Sequence, residues 1–264
     1  MTGSDIAPKK ELGQHFLVDE NLLGVIGRLA ELAPEDVVLE VGPGLGVLTR
    51  YLVERVATVH AVEVDYALVC VLGERFGDRA NLELRHGDAL RLDLAALEPS
   101  PTKLVANLPY HIATPLVVES LDGLPTVELW CVMVQREVAD RFFAQPSTKA
   151  YGAVSVLVQL AAERTGFHPV SRTVFRPRPN VDSALVAFRR RAAFDFDAHA
   201  RVSPVVTAAF AHRRKRLANS LELSGVATRD EAADALKAIG KDPAARAEEL
   251  APPEFVELAE ALGA

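Results

Sequence analysis

Hydrophobic and polar positions alternate along this chain in two registers. A helical period runs through Leu22, Leu23, Ile26 and Leu29, and Pro34 ends it. From there short β-branched runs and amphipathic stretches take turns. Val37–Val41 predicts a strand, Leu48–Val56 a helix, Val59–Val64 a strand and Ala67–Phe76 a helix. Leu82–Arg85 and Lys103–Asn107 predict further strands, followed by a helix after Pro115 and a long apolar strand over Val127–Val134. Such alternation implies an α/β fold, a mostly parallel sheet with helices on both faces. Beyond about Arg190 the strands stop. Val202–Leu223 reads as one amphipathic helix, and Arg229–Ile239 and Pro253–Leu262 as two more. The expected organisation is an α/β domain over residues 1–192 and a small all-α domain over 193–264.

Composition adds limits. The 264 residues are 49% hydrophobic and 25% charged, an ordinary globular balance. Cys70 and Cys131 lie far apart without metal or redox spacing, and read as small hydrophobes in a reduced compartment. No signal peptide is visible, and no apolar run of about 18 residues lacks a charge. A cytoplasmic protein that neither spans a membrane nor holds a metal is expected. The net charge of −7 means that any nucleic-acid surface must be local. Arg172, Arg176, Arg178 and Arg189–Arg191 cluster in one stretch and Arg213, Arg214, Lys215 and Arg216 in another, whereas acidic residues crowd the tail. A run such as Arg213–Arg216 is also compatible with a solvated helix face.

Four motifs carry chemistry. Gly42, Gly44 and Gly46 follow the first strand of the α/β series, where a tight turn can present helix-start amides to a ligand. A dinucleotide fingerprint places its third glycine three positions after the second; here it comes after two, and Val47 fills the expected place. The spacing leans towards the nucleoside loop of S-adenosylmethionine enzymes. Glu63 ends the next strand, about twenty residues on, where a carboxylate can accept both ribose hydroxyls. Asp65 is better placed as the N-cap of the following helix. In His86-Gly87-Asp88-Ala89, Asp88 can accept from an adenine amine or simply stabilise a turn.

Asn107-Leu108-Pro109-Tyr110 is the most informative. The exocyclic amine of adenine is a poor nucleophile because its lone pair is delocalised. A side-chain amide oxygen and a backbone carbonyl can accept its two N–H bonds and aim the lone pair at a methyl donor. Pro109 stiffens the turn, and Tyr110 offers a face on which a flipped-out base can stack. No general base is required, since positioning against a strong electrophile supplies most of the rate.

Together these residues resemble the small-subunit ribosomal RNA adenine dimethyltransferase family. The resemblance runs through Lys9–Leu17, Val38–Thr49, Ala61–Asp65, His86–Ala89, Ala106–Pro115, Met133–Phe142, Tyr151–Ala153 and Phe175–Leu185. It implies a Rossmann-like class I methyltransferase sheet and dimethylation of the N6 amines of two adjacent adenosines in a hairpin near the 3′ end of 16S rRNA, linked to small-subunit maturation. S-adenosylmethionine is the implied cofactor, with His15, Leu17, Gly42, Gly44, Gly46, Glu63, Asp88, Ala89 and Asn107 around it. Asn107, Leu108, Pro109 and Tyr110 are implied to hold the target amine. Phe175 matches an aromatic for the second face of the base, although core packing accounts for it equally well. His15 stands where many relatives have Asn. Arg176, Arg178 and Arg213–Arg216 are assigned to RNA phosphates, the small ribosomal subunit being the implied partner of a monomer. Three alternatives remain at this point. One is a large-subunit rRNA adenine methyltransferase of the macrolide-resistance type, and another a non-enzymatic ribosome assembly factor. The third is a nicotinamide oxidoreductase, which the glycine spacing disfavours.

Overall fold

A computed structural model describes residues 14–263. The Lys9–Gly13 part of the first motif lies outside the described residues. The elements, in chain order, are β1 (Phe16–Leu17), α1 (Asn21–Leu29), β2 (Val37–Val41), α2 (Val47–Val53), β3 (Thr58–Glu63), α3 (Tyr66–Phe76), β4 (Leu82–His86), β5 (Lys103–Asn107), α4 (Ala113–Gly123), β6 (Leu129–Gln135) and α5 (Arg136–Phe142). They continue with α6 (Ala153–Ala161), β7 (Ala162–Val170), β8 (Phe175–Arg176), β9 (Ser183–Arg190), α7 (Phe196–Ala211), α8 (Leu217–Leu223), α9 (Arg229–Ala238) and α10 (Pro252–Ala261).

Seven strands form one mixed sheet in the order β4-β3-β2-β5-β6-β9-β7, with helices around it. The pairs from β4 across to β6 are parallel, and β9 runs antiparallel to β6. β2, the first strand of this sheet in the chain, lies between β3 and β5. The chain therefore builds outward one way through β3 and β4, then returns to build the other way from β5. The carboxyl ends of β2 and β5 diverge at this reversal, which leaves a crevice where such sheets bind ligands. Val38, Leu39, Leu104, Val105, Cys131 and Val132 are all fully enclosed, as central strands covered on two faces require.

The described chain forms two compact units. One holds the residues up to Ala139 with Arg164–Arg190, and the other Asp140–Glu163 with Arg191–Ala264. A single cut near residue 192 does not describe this, because the 140–163 segment packs with the C-terminal helices. Tyr151 Oη donates to Leu250 O at 2.8 Å, and the His199 ring lies 3.1 Å from Leu157 O.

Val202–Leu223 is not one helix. α7 starts earlier, at Phe196, because Asp195 caps it by accepting the Ala198 N–H. It ends at Ala211, and His212–Arg216 turn before α8. The Ser220 hydroxyl closes that turn: it donates to Ala208 O at 2.7 Å and accepts the His212 N–H at 3.2 Å. Leu217 N–H donates to Ala245 O at 2.8 Å, which redirects the chain so that Leu217, Ala218 and Leu221 are buried. Hydrophobic period alone continues across such a break.

Candidate active site

A cavity of about 330 Å³ opens at the sheet's reversal point. Its walls come from the ends of β2, β3 and β5, from the turn after β4 and from the strand β1. His15, Leu17, Gly42, Gly44, Glu63, Asp88, Ala89, Asn107, Leu108, Pro109 and Tyr110 all line it. The sequence separates these residues by up to ninety-five positions, and the parallel register brings them together.

The glycine turn has its physical basis in the backbone. Gly42, Gly44 and Gly46 have φ of +73°, +58° and +77°, the left-handed region that side chains disfavour. A Cβ on Gly44 would stand 2.9 Å from the Phe16 ring, so the turn and β1 close on each other only with glycine there. Gly46 plays a different part from the one expected. It does not line the cavity; a Cβ there would meet Phe76 at 2.5 Å and Leu72 at 2.8 Å, so its role is the approach of α2's start to α3.

Glu63 is held rather than solvated. Its Oε2 accepts the Gly44 N–H at 3.1 Å and its Oε1 the Asp65 N–H at 3.0 Å. Burial raises its pKa, the two amides oppose that rise, and the charge of Asp65 adds to it. Asp65 caps α3 through the Ala67 N–H and accepts from Gln14 Nε2 at 3.1 Å, tying the segment before β1 to the start of α3. Asp88 accepts the Leu90 N–H at 3.0 Å through Oδ1, so the turn role and a position on the cavity wall coexist in one side chain.

Asn107 Nδ2 donates to His15 O at 3.2 Å, which leaves its Oδ1 as the end to accept from a ligand. Leu108 N–H donates to Met133 O at 3.1 Å, and its side chain is buried, so this turn is anchored on β6. The Tyr110 hydroxyl pairs with Ser183 Oγ at 2.8 Å. Burial raises the Tyr110 pKa, the Ser183 hydrogen bond opposes this and the charge of Asp182 adds to it, so the phenol stays neutral at physiological pH. The His15 ring packs against Tyr110 with centroids 5.6 Å apart, and its Nδ1 lies 2.8 Å from Pro177 O.

Phe175 is not brought to this cavity. It lies in β8, paired with Leu17, and is 2% exposed within the core cluster around Val105, Cys131 and Leu185. Arg176 and Arg178 are exposed in unit one. Arg213, Arg214, Lys215 and Arg216 are exposed in unit two, on the turn between α7 and α8 rather than on a helix face. Arg213 is partly committed, 3.5 Å from Glu248 and donating to Lys149 O at 3.2 Å.

Glu40 escaped the sequence reading although it lies inside the first motif. It is 1% exposed, lines the cavity, and its Oε2 has no hydrogen-bond partner; neither has the buried hydroxyl of Thr49. Burial raises its pKa from 4.5 to about 8, the Thr49 side chain pulling the other way and the Glu63 charge adding to the rise. The signal was present: one carboxylate in an otherwise aliphatic strand, two residues before the glycines. A buried acceptor facing a cavity calls for a donor, and a cationic one fits best. Among the described residues no group of three or more His, Cys, Asp or Glu side chains is placed to hold a metal ion.

Residues 7–262 match the family model described as ribosomal RNA adenine dimethylase. A protein of Rubrobacter xylanophilus named ribosomal RNA small subunit methyltransferase A is 46% identical over 258 residues, covering 98% of this chain and 96% of that one. One of the same name from Thermobifida fusca is 45% identical, covering 97% and 90%. Among solved structures, the 23S rRNA methyltransferase ErmE superposes with a TM-score of 0.66 at 30% identity, covering 94% of this chain and all of that one. A dimethyladenosine transferase from Plasmodium falciparum reaches a TM-score of 0.76 at 23% identity, over 92% and 96%, which bears on the fold. By the extent of these matches, this chain belongs to the ribosomal RNA adenine dimethylase family.

Proposed function

We propose that the chain transfers methyl groups from S-adenosylmethionine to the N6 amines of two adjacent adenosines near the 3′ end of 16S rRNA in the small ribosomal subunit. The observation that carries this reading is the placement of Asn107–Tyr110 in one cavity with Glu40, Glu63 and Asp88. S-adenosylmethionine, when bound, supplies a methyl group on a sulfonium that departs as a neutral thioether. Glu40 fits its ammonium, since the orphaned Oε2 needs a donor and burial strengthens the pairing. Glu63 keeps a free lone pair on each oxygen for the ribose hydroxyls, and Asp88 Oδ2, 3.4 Å from Arg91 Nε, has lone-pair capacity left to accept from an adenine amine.

Asn107 Oδ1 and the Leu108 carbonyl accept the two N–H bonds of the target amine. That concentrates its lone pair on nitrogen and fixes the line of attack. With that cofactor bound, the amine nitrogen held by Asn107 and Leu108 would take the methyl group, the C–S bonding pair would stay with the departing thioether, and one amine proton would leave to water. Tyr110 stacks on the flipped base. Exposed Arg176 and Arg178 and the turn Arg213–Arg216 contact phosphate, the α/β unit carries catalysis and the helical unit, which takes in 140–163 as well as the C-terminal helices, binds RNA, and a cytoplasmic monomer is the working form.

Transfer of label from S-adenosylmethionine to undermethylated small subunits, large subunits and naked rRNA tests the reading. Dimethyladenosine in small subunits, lost in Asn107→Ala, supports it. The likeness to ErmE keeps the large subunit as a second substrate reading, and label in 23S rRNA would select it. Tight binding of small subunits without transfer would leave an assembly factor.

A further inference from the structure

Tyr110 is held by more than the turn that carries it. Its hydroxyl lies 2.8 Å from Ser183 Oγ, and Ser183 is 1% exposed at the start of β9, in register with Gln135 of β6. The residue before it is pinned on both sides: Asp182 O accepts the Arg136 N–H at 2.9 Å, and Asp182 Oδ1 accepts the Arg172 N–H at 3.1 Å. The sheet itself thus fixes the Ser183 hydroxyl. Two strands away, it fixes the far end of the Tyr110 ring, while His15 packs against that ring at 5.6 Å.

A fixed ring matters unequally for two successive transfers to one amine. Before the first, the amine has two N–H bonds for Asn107 Oδ1 and Leu108 O. Afterwards one N–H is replaced by a methyl group, and one of the two acceptors loses its donor. The orientation of the monomethylated base then depends more heavily on stacking against Tyr110. We propose that Ser183 is a positioning residue, acting through the Tyr110 hydroxyl, whose chief effect is on the second methyl transfer to each adenosine. This rests on the dimethylation reading above. The chemistry is unchanged between the steps: a C–S bond breaks, an N–C bond forms and the last amine proton leaves to water.

The test is single-turnover methylation of small subunits by wild type, Ser183→Ala, Tyr110→Phe and the double variant. N6-methyl- and N6,N6-dimethyladenosine are quantified separately, and cofactor KM and Tm are measured in parallel. Ser183→Ala should slow the second transfer about tenfold, the effect of losing one aligned hydrogen bond, and the first less than threefold, so monomethyladenosine accumulates. Tyr110→Phe, which keeps the stacking face and folds without the hydroxyl, should do the same. The double variant should be no worse than either single, because both remove one interaction. An unchanged ratio of products in both single variants overturns the proposal. So does an equal fall in both transfers, a parallel rise in cofactor KM, or additive effects in the double variant. If the wild type itself makes no dimethyladenosine, the functional reading falls and this proposal falls with it; if it does, the variants judge Ser183 alone.

Discussion

Replacing Glu40 by Gln should make the ligand-free protein more stable at neutral and mildly alkaline pH, not less. Glu40 carries an unpartnered buried oxygen, and burial raises its pKa from 4.5 to about 8. Between these values the folded protein holds a proton that the unfolded chain releases. Stability therefore falls as pH rises from the unfolded to the folded pKa, and is highest below the former. At about 1.36 kcal/mol per unit, the cost grows by about 3–4 kcal/mol between pH 5 and pH 8. Gln keeps the shape and cannot ionise. Apart from Glu63, whose charge is coupled to that of Glu40, the other titrations are shared, so the difference between the two proteins reports chiefly on this group. Thermal unfolding without ligand at pH 5, 6, 7 and 8 should show curves that nearly coincide at pH 5. By pH 8 Glu40→Gln should unfold several degrees higher, at about 2 °C per kcal/mol for a chain of this size. The same variant should bind S-adenosylmethionine more weakly, the usual exchange of function for stability at a ligand site. Parallel Tm-against-pH curves would refute the reasoning, since they would mean that Glu40 does not titrate in that window in the folded protein.

Three further outcomes are expected. Asn107→Ala should lower kcat about a hundredfold in the methyl-transfer assay with little change in Tm, because it removes an acceptor for the amine and not a core contact. Gly46→Ala should cost about 2–4 kcal/mol in denaturant unfolding, since its φ is +77° and the new methyl would meet Phe76 at 2.5 Å. Arg214→Ala with Lys215→Ala should weaken binding to naked rRNA and reduce the slope of log K against log salt by about one per residue, measured by filter binding.

Much of the fold was written locally. The runs Val37–Val41, Val59–Val64 and Lys103–Asn107 lie within a residue or two of β2, β3 and β5, because a strand buried on both faces must be apolar wherever it is placed, while Leu82–Arg85 matches the half-exposed edge strand β4 by its alternation of Leu with charged residues. The site residues at or just after the ends of those strands were legible by position: a ligand at the carboxyl end of a parallel sheet is met by whatever ends and follows each strand. Gly42, Gly44, Glu63, Asp88 and Asn107–Tyr110 obey that rule.

Only the tertiary structure decided the rest. Glu40 stands out in the sequence as a carboxylate in an aliphatic strand, but nothing local says whether it faces a cavity or a partner. Phe175 and Gly46 belong to motifs that suggested a ligand, yet packing against Leu17, Phe76 and Leu72 claims them. The break between α7 and α8 depends on Ser220 reaching back to Ala208 and on Leu217 pairing with Ala245, contacts that a hydrophobic period does not contain. Ser183 meets Tyr110 across 73 residues because β9 lies against β6. Sequence specified the elements and the chemistry at their ends, since those depend on side-chain type and period. Which side chains face one another depends on the order of strands in the sheet, and that is a property of the whole fold.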